Sequence, residues 1–377
     1  MQQAHSRLSP FEWYRTMREN EPVHRDPRMG AWSVFRYEDV QRVLSDSSTF
    51  SSRFMGGGDA TANPLGASLI GTDPPRHRLL RSLVTQAFTT RKIAQLEPRI
   101  REITAELLDG VASTGRMDLV GDLSYPLPVI VIAELLGIPS ADRDRFKRWS
   151  DAVVTGGGYG GTQREMAEYF LRMIELKRRE PGEDLISGLL AAEVEGESLS
   201  LTDLLGFCIL LLVAGNETTT NLLGNAILCF DDRPEVYEEL RGTPDLLPNA
   251  IEEVLRYRSP VQSMFRTVVN DTEIGGKTLR AGESAIAWIG SANRDDAQFA
   301  DADRFDIRRS PNRHIAFGQG IHYCLGAPLA RLEARVALGM LIERCRGLRV
   351  VPGTPLEALE STVVYGVKRL PVTFEAA

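Results

Sequence analysis

Apolar side chains recur three and four positions apart through most of the first two-thirds of this chain, the period of helices that bury one face. Leu79, Leu80, Leu83, Val84 and Ala87 follow it, and Asp73-Pro74-Pro75 just before them offers an N-cap and a proline for the first turn. Helical patterns continue over residues 90–240, interrupted by the glycines of 156–161. The stretch 201–230 is apolar almost all round in its first half, as expected of a helix buried inside a large protein. A further helix is predicted over 248–257, ended by Ser259-Pro260. Alternation and turn chemistry predict short strands at 29–36, 284–290, 348–351, 362–366 and 370–374. A hairpin over 272–279 turns on Gly275-Gly276, and 54–68 reads as a loop from its Gly, Asn and Pro content. With no repeat and no long linker, the pattern predicts a single domain over 1–377, mainly α with small β-sheets.

Composition narrows the function classes. The 377 residues are 43% hydrophobic and 25% charged, which suits an ordinary globular chain. Acidic side chains outnumber basic ones 51 to 44, a formal charge of −7, and no basic stripe stands out. Nucleic acid is therefore not the expected partner, since phosphate binding needs clustered Lys and Arg. The first twenty residues lack the basic-then-apolar order of a secretory signal. The longest apolar run, 204–215, falls short of the ~20 residues that span a bilayer. Cysteines 208, 229, 324 and 345 form no CxxC pair. The expectation is a soluble, cytoplasmic protein without a membrane anchor.

Several signals resemble chemistry without carrying it. Residues 156–161 match GxGxxG, but an amphipathic helical pattern precedes them where a nucleotide site needs a strand. Asn216-Glu217-Thr218 and Asn270-Asp271-Thr272 match a glycosylation sequon, the first inside an apolar helix. Cys208, Cys229 and Cys345 lie in apolar or amphipathic patterns, where a buried inert thiol is expected. Cys324 differs. It stands near the end of a glycine-rich run, Phe317-Gly318-Gln319-Gly320-Ile321-His322-Tyr323-Cys324-Leu325-Gly326, with a helix predicted to begin at Leu325, directly after it. A thiol there feels the positive helix end, which favours the thiolate. It could be a nucleophile with His322 as base, a zinc ligand or a haem ligand; zinc is disfavoured because no second Cys or His pair stands at ligand spacing.

That ten-residue run resembles the haem-binding signature of the cytochrome P450 superfamily, and the likeness extends over about residues 10–371. The resemblance implies a cytochrome P450 fold with haem b between the long central helix and the helix after the Cys loop. Cys324 would ligate the iron, pushing electron density toward O–O cleavage. Phe317 would shield the sulfur, while Gly318 and Gly320 let backbone N–H groups approach it. Glu253, Arg256 and Arg309 would form a buried structural triad.

Ala214-Gly215-Asn216-Glu217-Thr218-Thr219 resembles the family's acid–threonine motif. It implies that Thr218 hydrogen-bonds dioxygen or its water and that Glu217 feeds the proton relay. The same threonines also read as a helix bend. His77 and Arg81, i and i+4 on one face, would bind haem propionates together with Arg266 and His322. By family position the pocket would be lined near Leu69, Leu210, Val213, Ala214, Val261 and Val364, which equally read as core. The glycine-rich stretch 153–180 departs from the family where substrate-covering helices are expected.

The implied activity is insertion of one oxygen atom from O2 into an apolar small molecule, by hydroxylation or epoxidation. Two electrons would come from a ferredoxin and its reductase, with Arg331 and Arg335 as candidate docking contacts. An H2O2-driven peroxygenase is the nearer alternative, although specialised ones carry Arg–Pro in place of Glu217-Thr218. A non-catalytic haem sensor or carrier is the other, for which the acid–threonine pair would be superfluous.

Overall fold

The computed structural model describes residues 8–27, 30–53, 66, 68–142, 145, 146, 148, 149 and 161–376. Most of the predicted loop 54–68 and glycines 156–160 lie outside the described residues, as does most of the amphipathic segment before them. The chain divides into two compact units, one of Ser52–Ile103 and Tyr125–Glu217, the other of Met1–Ser51, Thr104–Ser124 and Thr218–Ala377.

The first unit is helical apart from a small hairpin pairing Glu193–Val194 with Glu197–Ser198. Helix α1 (Arg76–Ala87) turns His77, Leu80, Leu83, Val84 and Ala87 inward, one face at helical spacing. It begins later than the sequence suggested: Asp73 does not cap it, and Asp73 Oδ1 instead accepts the Ser52 N–H at 3.0 Å. A real cap stands at Asp184, whose Oδ1 accepts Ser187 N–H at 3.0 Å ahead of the helix Leu185–Leu190. The helix Gly161–Arg179 occupies the predicted glycine-rich region and buries Met166, Phe170 and Ile174.

Helix α2 (Leu201–Asp231) has 31 residues, its N-terminal part in this unit and its continuation from Thr218 in the other. By length and composition alone it could cross a membrane, being far longer than the apolar run 204–215. Two of its later polar side chains are nevertheless buried and bonded within protein. Thr220 Oγ1 donates to Ser124 O at 3.0 Å, and Asn225 Nδ2 donates to Arg258 O at 3.0 Å and Tyr365 O at 3.2 Å. Such satisfied polar groups identify the interior of a folded core.

The second unit is built on a five-stranded sheet ordered Val23–Asp26, Ala31–Val34, Ser284–Ala287, Met264–Val268, Phe50–Ser51. Only the Ala31–Val34 and Ser284–Ala287 pair is parallel. One face packs Val34, Val40, Val43, Phe50, Ala285 and Ala287 together. On the other, Trp288 stacks on Phe35 with ring centroids 5.8 Å apart. The strand predicted over 284–290 stops at Ala287, because a short helix, Ile289–Ala292, follows at once.

A second sheet joins Cys345–Val350, Pro371–Ala376 and Arg116–Asp118, so Cys345 opens a strand rather than sitting in a helix. The hairpin Thr272–Ile274 with Lys277–Leu279 forms as predicted, with Gly275 and Gly276 at φ 53° and 73°. The predicted strand 362–366 is reduced to one bridge, Val261 to Val364. Helix α3 (Leu247–Tyr257) and helix α4 (Ala327–Arg344), each with proline in its first turn, complete the frame around the cysteine.

Candidate active site

The glycine-rich run folds into a closed turn. Cys324 N–H donates to Phe317 O at 2.9 Å, and Gly318 N–H to Ile315 O at 2.9 Å. Gly318 and Gly320 adopt φ of 75° and 70°, the left-handed region that side chains avoid. Gly320 is further fixed by crowding, since a Cβ there would lie 2.7 Å from Ser45 Cα. A single 3-10 turn, Gly320–His322, then delivers Cys324 to the N-terminal end of α4, which starts at Ala327.

Of the four cysteines only Cys324 is exposed. Burial pushes Cys208 up to about 12 and Cys229 and Cys345 up to about 11, so these three stay protonated and inert as expected. Among the described residues, no group of three or more His, Cys, Asp or Glu side chains is placed to hold a bare metal ion. An exposed thiol at a helix head, in a glycine cradle without other ligands, fits a metal that brings its own equatorial donors, as haem iron does.

Behind the turn lies the predicted triad, within one unit. Arg256 Nε and Nη2 donate to the two Glu253 oxygens at 2.8 Å each, and both side chains are fully buried. Its remaining N–H groups reach the backbone oxygens of Asn293, Ala302 and Arg304 at 2.9, 2.8 and 3.0 Å. All five guanidinium protons are thereby used. Glu253 also receives Arg309 Nε at 3.2 Å, Asp306 N–H at 2.8 Å and Asn312 Nδ2 at 3.1 Å. The arrangement staples the irregular segment after residue 292 to α3, a structural task.

Helix α2 carries the acid–threonine motif. Leu210, Val213, Glu217 and Thr218 are half-buried and Ala214 is exposed, whereas Phe207, Cys208, Ile209 and Leu212 around them are buried. Positions 210, 213, 214, 217 and 218 share one helical face, so the partly open stripe is apolar and ends in Glu217 and Thr218. Burial raises the Glu217 carboxyl above its ordinary value. Gly215 permits close packing, because a Cβ there would come 3.1 Å from Ile132 Cδ1. The three threonines divide by direction: Thr218 stays half-open, Thr220 bonds inward to Ser124, and the Thr219 hydroxyl bonds the Glu333 carboxyl.

Glu333 was not among the sequence candidates. It lies on α4 and is 1% exposed, and burial pushes it up to about 8 against the opposing pull of Thr219. An acid set between Leu332 and Ala334 on a largely apolar helix was the available signal.

The candidate propionate donors fall in both units. His77, in the first, is 2% exposed; burial and then Arg81 lower it below its ordinary value, with Asp73 opposing. Its imidazole is thus neutral, and Arg81 brings the charge. Arg266, in the second unit, lies on the strand Met264–Val268, half-buried, with Nη1 donating to Phe265 O at 2.8 Å. His322 is half-buried in the 3-10 turn.

Of the predicted pocket residues, Leu69 is buried in a 3-10 turn, Leu69–Gly71, of the first unit. Val261 and Val364 pair in the second. Their backbone is tightly held, with Gln262 N–H on Val363 O at 2.7 Å and Tyr365 N–H on Pro260 O at 2.8 Å. Ser361 Oγ accepts the N–H groups of Val363 and Val364 at 3.1 and 3.2 Å.

Comparison with known proteins agrees with this frame. The family model described as Cytochrome P450 matches residues 26–149 and 245–374. A curated relative, the putative cytochrome P450 YjiB of Bacillus subtilis, is 48% identical over 96% of this chain and 93% of its own length. The mycinamicin IV hydroxylase/epoxidase of Micromonospora griseorubida is 44% identical over 96% of this chain and 94% of its own. Among solved structures, CYP109E1 from Bacillus megaterium in complex with testosterone superposes with a TM-score of 0.90 at 46% identity, covering 97% of this chain and 99% of that one. Likeness of this extent, in sequence and in fold, means that the chain belongs to the cytochrome P450 family and is a monooxygenase.

Proposed function

We propose that this monooxygenase holds haem b on the Cys324 thiolate and hydroxylates or epoxidises an apolar, ring-bearing small molecule of steroid or macrolide size. A ferredoxin and its reductase would supply the electrons. The observation that carries the reading is the single exposed thiol in a glycine cradle at the head of α4. The substrate class rests on the apolar stripe of α2 and on two relatives, one solved with testosterone and one named for mycinamicin IV. Four free cysteines suit a reducing cytoplasm, and the chain would act as one haem domain.

When bound, the haem supplies the redox-active iron that activates dioxygen. The chain's own residues do the rest. His77 as a neutral donor and Arg81 as a charged one would bind propionate, with Arg266 and His322 as further donors. Glu217, raised by burial, holds its proton closer to neutral pH than an ordinary carboxyl and can pass it toward the Thr218 hydroxyl. Leu69, Leu210, Val213, Ala214, Val261 and Val364 would bury the substrate by area and keep water out.

The peroxide-driven alternative is disfavoured by Glu217-Thr218 itself, and the sensor reading by the pairing of a thiolate with that proton-handling dyad. Dithionite-reduced protein exposed to carbon monoxide should give the strongly red-shifted Soret band of a thiolate complex, and Cys324→Ser should lose it. A histidine-type band, or protein that takes up no haem, overturns the proposal. Testosterone, as a probe, should shift the iron spin state; turnover with peroxide but not with reduced ferredoxin would overturn the donor assignment.

A further inference from the structure

Arg331 and Arg335 read from sequence as basic contacts for an electron donor, but Arg331 is already committed. It lies on α4 two helical turns beyond Cys324, and its Nε and Nη2 donate to the two oxygens of Glu252 at 2.7 and 2.8 Å. Glu252 precedes the buried Glu253 on α3, so two consecutive acids send their carboxylates to different tasks. Glu252 Oε2 also accepts His314 Nε2 at 3.0 Å. The other ring nitrogen, Nδ1, accepts the Ala316 N–H at 3.2 Å, which leaves Nε2 as the donor toward Glu252.

The far side of the guanidinium faces the cysteine turn. Its centre stands 4.4 Å from the Phe317 ring centroid, and Nη1 donates to Tyr323 Oη at 3.3 Å. Phe317 and Tyr323 are the two flanks of the turn: Phe317 O accepts the Cys324 N–H, and Tyr323 precedes the cysteine in the chain. The His314 and Tyr323 rings also lie 6.2 and 6.3 Å from Phe317. One planar cation therefore braces both ends of the ligand turn from a carboxylate on another helix. Burial alone would raise Glu252, yet Arg331 and His314 hold it down at about 2, so the brace stays charged throughout the physiological range.

We propose that Arg331, anchored by Glu252 and His314, is a positioning residue that keeps Phe317 and Tyr323 in place and so holds Cys324 in ligating geometry, rather than a docking contact for the electron donor. This rests on Cys324 being the haem ligand, which the wild-type carbonyl spectrum tests separately. A wild-type thiolate band upholds that assignment whatever the variants do.

The test uses holoenzyme of Arg331→Lys and Glu252→Gln. Arg331→Lys keeps the positive charge but loses the fork and the flat face, and Glu252→Gln leaves Arg331 charged but unanchored. Two properties are followed: the rate at which the thiolate-type carbonyl band gives way to the histidine-type band, and the donor KM as a function of salt. Far-UV circular dichroism melts control for general unfolding. The proposal expects both variants to lose the thiolate band about tenfold faster, with melts and donor KM near wild type, because both keep a positive charge at position 331 and lose only its fixed placement against Phe317 and Tyr323. Band stability like wild type in both variants overturns it. So does a donor KM that falls in Glu252→Gln, where the freed cation would dock better. If Arg331→Lys does not accumulate folded, Glu252→Gln alone decides between these results.

Discussion

The most quantitative expectation concerns Glu333. A buried carboxyl that ordinarily titrates at 4.5 stands at about 8, mainly because water is excluded from it. At ~1.4 kcal/mol for each pH unit, the whole displacement corresponds to about 5 kcal/mol of folding free energy. The sign follows from proton counting. Below about pH 4.5 both the folded and the unfolded chain hold the proton, and the group contributes no slope. Between 4.5 and about 8 the folded state keeps a proton that the unfolded state has released, so stability falls as pH rises through that window.

Glu333→Gln has no proton to lose, so it lacks this slope while sharing every other titration. Urea unfolding of both holoproteins between about pH 5 and about pH 8, followed by far-UV circular dichroism, should show the wild type losing about 4 kcal/mol relative to Glu333→Gln. Thr219→Val removes the one hydrogen bond that opposes the shift and should carry the slope to higher pH. Parallel pH profiles for wild type and Glu333→Gln would refute the reasoning, since they would mean that Glu333 is ionised, and therefore hydrated, in the folded protein.

Three further outcomes are expected. Arg256→Lys abandons one side of the Glu253 pair and several backbone oxygens, and should cost about 3–5 kcal/mol, seen as a lower denaturant midpoint together with haem loss. Gly320→Ala forces a side chain onto the Ser45 backbone at positive φ and should lower stability by about 1–3 kcal/mol, visible in the thermal melt and in the thiolate band. Thr218→Ala should divert oxygen into hydrogen peroxide at the expense of product, measured as peroxide formed per reduced nicotinamide consumed; unchanged coupling would remove Thr218 from the proton path.

What could be read from the sequence was local. The run from Phe317 to Gly326 carries its chemistry in adjacent residues, and Glu253 and Arg256 face the same way because a helix places i and i+3 together. The hairpin at Gly275-Gly276 was likewise determined by its own turn. Readings failed where the deciding partner was remote. Asp73 looked like a helix cap, but Ser52 claims its oxygen. Nor could the sequence show that Glu252, 79 positions away, pairs with Arg331. The strand Val23–Asp26 went unseen because four residues between turns show little periodicity, and it exists by pairing with Ala31–Val34. Glu333 was hidden for the same reason, its neighbour Thr219 being distant in sequence.

The bridge between Val261 and Val364 has a consequence for how such an enzyme can change. Its main chain is fastened by Gln262, Tyr365 and Ser361 without help from either valine side chain. Val261 also packs on the core around Phe50 and Ile289, so apolar replacements there, and replacements at Val364, are fittings on a fixed rail: their size can be altered while the rail keeps its place. A lineage could retune which molecules it accepts, one side chain at a time, without reopening the question of whether the protein folds. Libraries limited to positions 261 and 364 should accordingly yield mostly folded, haem-bearing variants that differ in substrate preference.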